Sequence, residues 1–352
     1  MFIIGLGTAL PTLHLTQAEC WRALEGWELV QRLAPRSRAL LKKVLLGDSG
    51  IESRHFALDS MQEAFALDPD AMHARFTRHA PALAAQAGEA ALRNAGVAAG
   101  DIDGLIISTC TGYLCPGLTS YVSERLGLRA DIMALDFVGQ GCGAALPNLR
   151  TGEALLASSR CARVLSICVE VCSAAVYLDD DPGVLISACL FGDGAGAAVL
   201  SSEPSAKVRR VEWKEAGTLL DAGSRDLLRF EQKHGMLRNI LTPPVPRLAA
   251  RHAETVFRGV ASRAKVKRKE IASWVFHAGG RDVLAALRQQ FDLDAGDLEW
   301  SAALLREIGN VSSPFVYFVL ERALNHGARG GWWWMSSFGA GFSCHGALLE
   351  VD

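Results

Sequence analysis

Apolar and polar positions alternate along the chain in short buried runs separated by amphipathic stretches. Residues 1–10 are apolar up to a break at Pro11 and read as a first strand. Cys20, Trp21, Leu24 and Trp27 follow at helical spacing behind Thr16, a hydroxyl suited to an N-cap. A second, basic helix is predicted over 36–46, stopping at Gly47, and a turn into a strand over 49–56. A polar stretch, 59–79, leads to an alanine-rich helix over 81–96, and 101–109 reads as a buried strand. The loop 110–117 opens a helix to Leu126. Residues 132–138 form a strand that ends in glycines, and the small-residue run from Gly143 to about Ser158 forms a helix. Another strand covers 163–170, then comes the polar loop 179–183, and 191–200 reads as a glycine-bent strand pair. In the second half, the strand starting at Trp274 gives way to glycines and a helix over 281–291. A further helix starts near Pro314, and the chain closes on an apolar run from Trp332. Strands alternating with helices of this length predict a layered α/β fold with a largely parallel sheet. The segment 201–206 is the natural seam, dividing the chain into related halves, 1–203 and 204–352. Phe191-Gly-Asp-Gly near the end of one half matches Phe338-Gly-Ala-Gly at the end of the other.

Composition narrows the function more than the fold. With 352 residues, 50% of them hydrophobic, the chain can bury a large core. A formal net charge of -2 gives no footprint for nucleic acid, and the basic run 263–269 reads as solvated surface. No apolar stretch reaches the roughly 18 residues of a membrane span, and the first strand lacks the basic start of a signal peptide. The expected location is therefore the cytoplasm. Nine cysteines without a CxxC pair argue for reduced, mostly buried thiols and against structural zinc. Gly192-Asp-Gly-Ala-Gly196 does not spell GxGxxG at the head of a helix, so a dinucleotide site is not expected.

Three residues stand where a strand or loop ends. Cys142, in Gln140-Gly-Cys142-Gly, falls at a turn just before a helix, where free N–H groups and the helix dipole favour a thiolate. His277 falls where a strand gives way to Ala-Gly-Gly, and Asn310 lies between Gly309 and a helix start. Taken singly, the cysteine reads equally as a buried structural residue or a reactive thiol, the histidine as a core or surface residue and the asparagine as a helix cap. Taken together they supply a nucleophile, a proton-handling imidazole and an amide donor.

These segments carry a resemblance. Gln140-Gly-Cys142, His277-Ala-Gly-Gly280, Gly309-Asn-Val-Ser-Ser313, Leu190-Phe-Gly-Asp-Gly-Ala195 and Phe338-Gly-Ala-Gly341 resemble, in order, the motifs of type III polyketide synthases. These are the chalcone and stilbene synthase-like enzymes of the thiolase superfamily. The loop Cys115-Pro-Gly117 adds an earlier match. Initiating ketoacyl synthases also use Cys, His and Asn, but their histidine stands in His-Gln-Ala-Asn, which is missing here; single condensation on a carrier protein is the alternative.

The resemblance implies a thiolase-like fold, two α/β halves layered α-β-α-β-α. It implies an acyltransferase that loads an acyl-CoA starter on Cys142 and extends it repeatedly with malonyl-CoA. The product would close as a pyrone, resorcinol or phloroglucinol. His277 and Asn310 would be the catalytic partners, with no metal or other cofactor beyond the coenzyme A thioesters. Phe191 matches the gatekeeper between the CoA tunnel and the cavity. Glu170, Cys172 and Ala175 match a cavity-lining strand; Cys110 and Thr111 match the cyclisation loop, and Ser312 lies beside Asn310. Gly339 and Gly341 match the loop at the cavity floor. Cys115 matches a residue that reaches the neighbouring subunit's cavity, implying a homodimer. The chain also departs from the pattern. It has no second gatekeeper phenylalanine over 236–241, and Lys42, Lys43 and Arg54 are the candidate CoA-phosphate contacts. Small residues at Cys172 and Ala175 suggest a bulky or long alkyl starter.

Overall fold

The computed structural model describes residues 1–352. Its centre is a nine-stranded sheet running Ile271–Phe276, Gly331–Gly339, Ser343–Val351, Val211–Leu220, Phe2–Ala9, Gly194–Ser201, Arg163–Glu170, Gly104–Ser108 and Met133–Phe137. The sheet is mixed, which corrects the largely parallel expectation. Gly104–Ser108 runs parallel to both its neighbours and Ile271–Phe276 to Gly331–Gly339; every other neighbouring pair is antiparallel. Helical crossovers join the parallel strands, but Gly331–Gly339 turns directly into Ser343–Val351, and so short a turn permits only an antiparallel partner.

The pattern of one parallel pair followed by two antiparallel steps occurs twice. Gly104–Ser108, Arg163–Glu170, Gly194–Ser201 and Phe2–Ala9 make the first set. Ile271–Phe276, Gly331–Gly339, Ser343–Val351 and Val211–Leu220 make the second. Helices Ala145–Ala157 and Phe315–Asn325 touch strands of both sets and form the middle layer. Helices Pro69–Ala95 and Leu118–Leu126 cover one outer face, and Val245–Ala264 covers the other with Arg281–Phe291 alongside. The result is the five-layered thiolase-like arrangement. Trp333 and Trp334 are fully buried in it. No helix is long and apolar enough to cross a membrane.

Two local readings change. The alanine-rich helix starts at Pro69, capped by the Asp68 side chain on the Ala71 N–H, and carries Pro81 in its interior. An interior proline costs about 3 kcal/mol; burial of Phe76 and Leu83, at roughly 1.5–3 kcal/mol each, offsets it. The helix lies against Phe2–Ala9 so closely that a Cβ at Gly7 would stand 2.3 Å from the Ala91 nitrogen. The stretch 191–200 is not a strand pair: helix Pro182–Leu190, capped by Asp181, ends at Phe191, and a single strand, Gly194–Ser201, follows.

Candidate active site

The strand Met133–Phe137 ends in glycines with positive φ, Gly139 at 81° and Gly141 at 55°. They fold residues 141–143 into one 3₁₀ turn ahead of Ala145–Ala157 and set Cys142 at its crest. The C-terminal hairpin clamps this turn from below. Ser337 Oγ donates to the Gly143 carbonyl at 3.0 Å. A Cβ at Gly339 would lie 2.3 Å from the Gln140 oxygen, so only glycine allows the contact.

Cys142 sits where two cavities meet. The outer cleft, about 740 Å³, is lined by His277, Asn310, Phe338, Lys43 and residues 239–243 among others. The inner cavity, about 80 Å³, is lined by Cys110, Thr111, Cys172, Ala175, Ser312 and Ala340, with Phe56, Tyr177 and Phe230 also in its wall. Phe191, Leu228 and Asn239 border both, as Cys142 does, and form the constriction. Phe191 is held in place by backbone: it bridges to Asn310, whose N–H donates to the Leu190 carbonyl at 2.9 Å.

On the outer side, Asn310 Nδ2 donates to the Gly279 carbonyl at 3.1 Å and its Oδ1 accepts the Ser312 N–H at 2.8 Å. These contacts fix which end of the amide is the donor. His277 is 1% exposed, edge-on to Phe315 and Phe338, and neither ring nitrogen has a hydrogen-bond partner. Burial alone pulls its pKa down to about 3. The imidazole is therefore neutral at physiological pH, with one N–H to donate and one lone pair to accept.

Burial also pushes the Cys142 thiol up to about 12. Ser312, in the left-handed region at φ 59°, opposes this by donating its hydroxyl to Cys142 Sγ at 3.2 Å. Behind the inner wall, Glu170 is fully buried. Its carboxylate accepts from Cys110 N–H at 3.0 Å, Thr111 Oγ1 at 2.9 Å, Thr109 Oγ1 at 3.2 Å and Ser313 Oγ at 2.5 Å. Burial raises its pKa against those donors. Glu170 thus braces the loop and does not line the cavity, a correction to its predicted place.

The remaining predicted residues separate. Gly339 supports the Cys142 turn from beneath, and Gly341 faces Leu220 away from both cavities. Cys115 is exposed and touches neither cavity of its own chain. Of the candidate phosphate contacts, Lys43 lines the outer cleft. Lys42 lies over the Trp21 ring at 5.8 Å. Arg54 is 3% exposed and bonded to internal carbonyls, so it cannot meet a CoA phosphate at the mouth. Phe56, Tyr177 and Phe230 line the inner cavity together with Cys172 and Ala175. Sequence reasoning missed Leu228, Phe230 and Asn239. They come from the hairpin Leu228–Lys233 and Met236–Leu241, whose residue types carry no chemical signature.

Comparison with known proteins finds the same architecture and a family for the chain. Residues 14–216 match the family model of FAE1/type III polyketide synthase-like proteins. Residues 229–351 match that of the C-terminal domain of chalcone and stilbene synthases. The chain is 31% identical to a 1,3,6,8-tetrahydroxynaphthalene synthase from Streptomyces peucetius subsp. caesius, covering 99% of this chain and 92% of that protein. It is 28% identical to a 3,5-dihydroxyphenylacetyl-CoA synthase from Streptomyces toyocaensis, covering 99% and 89%. The crystal structure of 1,3,6,8-tetrahydroxynaphthalene synthase from Streptomyces coelicolor A3(2) superposes with a TM-score of 0.88 at 22% identity, over 100% of this chain and 99% of that one. With a thiolase-like fold and two family models that together span most of its length, the chain belongs to the type III polyketide synthases, acyltransferases that use malonyl-CoA.

Proposed function

We propose that Cys142 carries the growing acyl chain and that His277 and Asn310 generate the nucleophile that extends it. The observation that supports this most directly is the position of Cys142 at the junction of two cavities, with the unpartnered His277 imidazole and the Asn310 amide on the outer side. A CoA thioester enters through the outer cleft. The His277 lone pair takes the thiol proton, and the sulfur, favoured as thiolate by the Ser312 hydroxyl, attacks the thioester carbon. The Cys142 S–C bond forms, the CoA S–C bond breaks, and the proton leaves with the CoA thiol.

Malonyl-CoA then loses carbon dioxide, and the electron pair moves onto its thioester oxygen as an enolate. The His277 N–H and the free Asn310 amide hydrogen stabilise that oxygen. A neutral imidazole suits this role, because it donates without giving up its proton. The enolate carbon attacks the acyl group on Cys142, and transfer back to the sulfur allows another cycle. The relatives' names refer to small phenolic products, and the small inner cavity favours a product of that class over a long-chain pyrone.

We also infer a homodimer. The strand Met133–Phe137 ends the sheet with one edge unpaired, and Tyr113, Val138 and Cys115 are exposed near it. An open edge with apolar neighbours invites a partner. Nine free thiols fit the reducing cytoplasm.

Incubation with radiolabelled malonyl-CoA and no carrier protein tests the main reading. Several condensations per product and an acyl adduct on Cys142 by mass spectrometry are expected, with both lost in Cys142→Ala. A single carrier-dependent condensation, or full activity in Cys142→Ala, would overturn it.

A further inference from the structure

Four residues border both the outer cleft and the inner cavity: Cys142, Phe191, Leu228 and Asn239. One is the nucleophile and two are apolar. Asn239 therefore brings the only other hydrogen-bonding side chain to the constriction, and the reaction above does not use it. Asn239 stands opposite Phe230 in the hairpin, and Leu241 opposite Leu228. Directly opposed residues of an antiparallel pair share a face, and all four of these line one cavity or both. Three are apolar, so packing alone asks for an apolar residue at 239 as well. The amide is held in a definite orientation. Ser187 Oγ shares its hydrogen between the Gly183 carbonyl at 2.8 Å and Asn239 Oδ1 at 3.1 Å. Nδ2 makes no hydrogen bond within the protein, so both its hydrogens stay available.

A half-buried amide with an unused donor carries a cost that an acceptor on a ligand removes. The acyl group on Cys142 passes this point. Every condensation inserts two carbons between the sulfur and the rest of the chain, and turns the former thioester carbonyl into a ketone at the β position. A β-oxygen therefore returns to the same distance from Cys142 Sγ after each cycle, however long the chain has become. A newly loaded saturated starter has none there. One donor at a fixed place on the constriction can thus recognise every intermediate and no such starter. The apolar wall behind it cannot make that distinction.

We propose that Asn239 Nδ2 donates to the β-carbonyl oxygen of the chain on Cys142, so that an extended acyl group is told from an unextended one by a hydrogen bond at the constriction. This rests on the reading of Cys142 as the acyl-carrying residue. The bond holds each intermediate across the constriction, with its thioester towards His277 and Asn310 and its grown tail in the inner cavity. It therefore favours another extension over release. His277 and Asn310 meet the enolate; Asn239 meets only the chain being extended.

The test is a pair of starters with one carbon skeleton, acetoacetyl-CoA and butyryl-CoA. Each is extended with malonyl-CoA and corrected for malonyl-CoA alone, with adducts on Cys142 read by mass spectrometry. Asn239→Asp keeps the size of the side chain and the oxygen that Ser187 meets, but as a carboxylate it cannot donate. Asn239→Leu removes both. In each, the ratio of kcat/KM for acetoacetyl-CoA to that for butyryl-CoA should fall about three- to tenfold from the wild-type value, the scale of one neutral hydrogen bond. Products from malonyl-CoA should shorten, because intermediates leave before the last extension. Asn239→Gln, which keeps the donor, should keep part of the ratio. A residue that only braces the hairpin against helix Pro182–Leu190 would slow both starters alike and leave the ratio unchanged. An unchanged ratio in folded Asn239→Asp or Asn239→Leu would overturn the proposal, and so would a wild-type preference for butyryl-CoA. If Asn239→Leu does not fold, the near-isosteric Asn239→Asp and the wild-type preference decide. No adduct on Cys142 from any thioester, malonyl-CoA included, would instead sink the underlying assignment of Cys142.

Discussion

The outer cleft and the inner cavity meet at one sulfur but are built on opposite principles. On the outer side the polar groups are left unspent: both His277 nitrogens lack partners, and Asn310 keeps one amide hydrogen free. On the inner side the polar groups are largely used up among themselves, with Glu170 accepting hydrogen bonds from Thr109, Thr111, Cys110 and Ser313. Unspent donors in a dry site suit charge that develops during reaction. Spent donors make a wall of fixed shape, and shape selects. The proposed mechanism therefore assigns bond making to the outer side and choice of acyl group to the inner side, with Phe191, Leu228 and Asn239 between them.

Removing an outer donor is the strongest way to break that division. Asn310→Ala should lower condensation about 100- to 1000-fold, the usual cost of one oxyanion donor. Loading of Cys142 by a starter CoA should fall far less. Rapid-quench mass spectrometry of the Cys142 adduct separates the two rates. Equal losses in loading and condensation would mean that the two sides do not divide the work in this way.

The outer half of the site was legible from sequence because Cys142, His277 and Asn310 stand in motifs that resemble the family's, each at a break between elements. Local pattern placed Cys142 before a helix, His277 at a strand end and Asn310 after Gly309, as the structure has them. The helix caps were legible for the same reason, and Thr16 closes a full capping box with Glu19. The inner half was not. Phe230 and Asn239 reach the cavity only because a hairpin folds over helix Pro182–Leu190, where Ser187 Oγ meets Asn239 Oδ1 at 3.1 Å. Such a contact depends on tertiary packing and leaves no local pattern. Arg54 was misread because its basic type suggested phosphate, whereas burial decides what it can touch. Pro81 was misread as a helix start because local propensity was outweighed by the apolar face that continues through it.

Ser312 stands on the boundary and offers a smaller, sharper test. Its hydroxyl stabilises the thiolate over the thiol, opposing the burial that pushes Cys142 upward. Ser312→Ala should therefore raise the thiol pKa further and lower the thiolate fraction at any pH below it. Alkylation of Cys142 by iodoacetamide at pH 7 should slow by roughly ten- to thirtyfold, the worth of one hydrogen bond to a charged group. The alkaline limb of the rate profile should move to higher pH. An unmoved profile would show that the serine shapes the wall without acting on the sulfur.

The smallest effect should come from the inner wall itself. Phe230 is half-buried on the strand Leu228–Lys233 and lines the inner cavity together with Cys172 and Ala175. Phe230→Ala opens that space without touching any group assigned to bond making. If the inner side selects by shape, hexanoyl-CoA should gain about fivefold in kcat/KM. That is modest beside the 10- to 200-fold that one methylene can command in a fully enclosed pocket. The condensation step after loading should keep its rate, since His277 and Asn310 face the other cavity. A variant that accepts longer starters but condenses more slowly would place part of the selectivity in the outer cleft. An unchanged starter range would mean that the constriction at Phe191, and not the volume behind it, decides what Cys142 can carry.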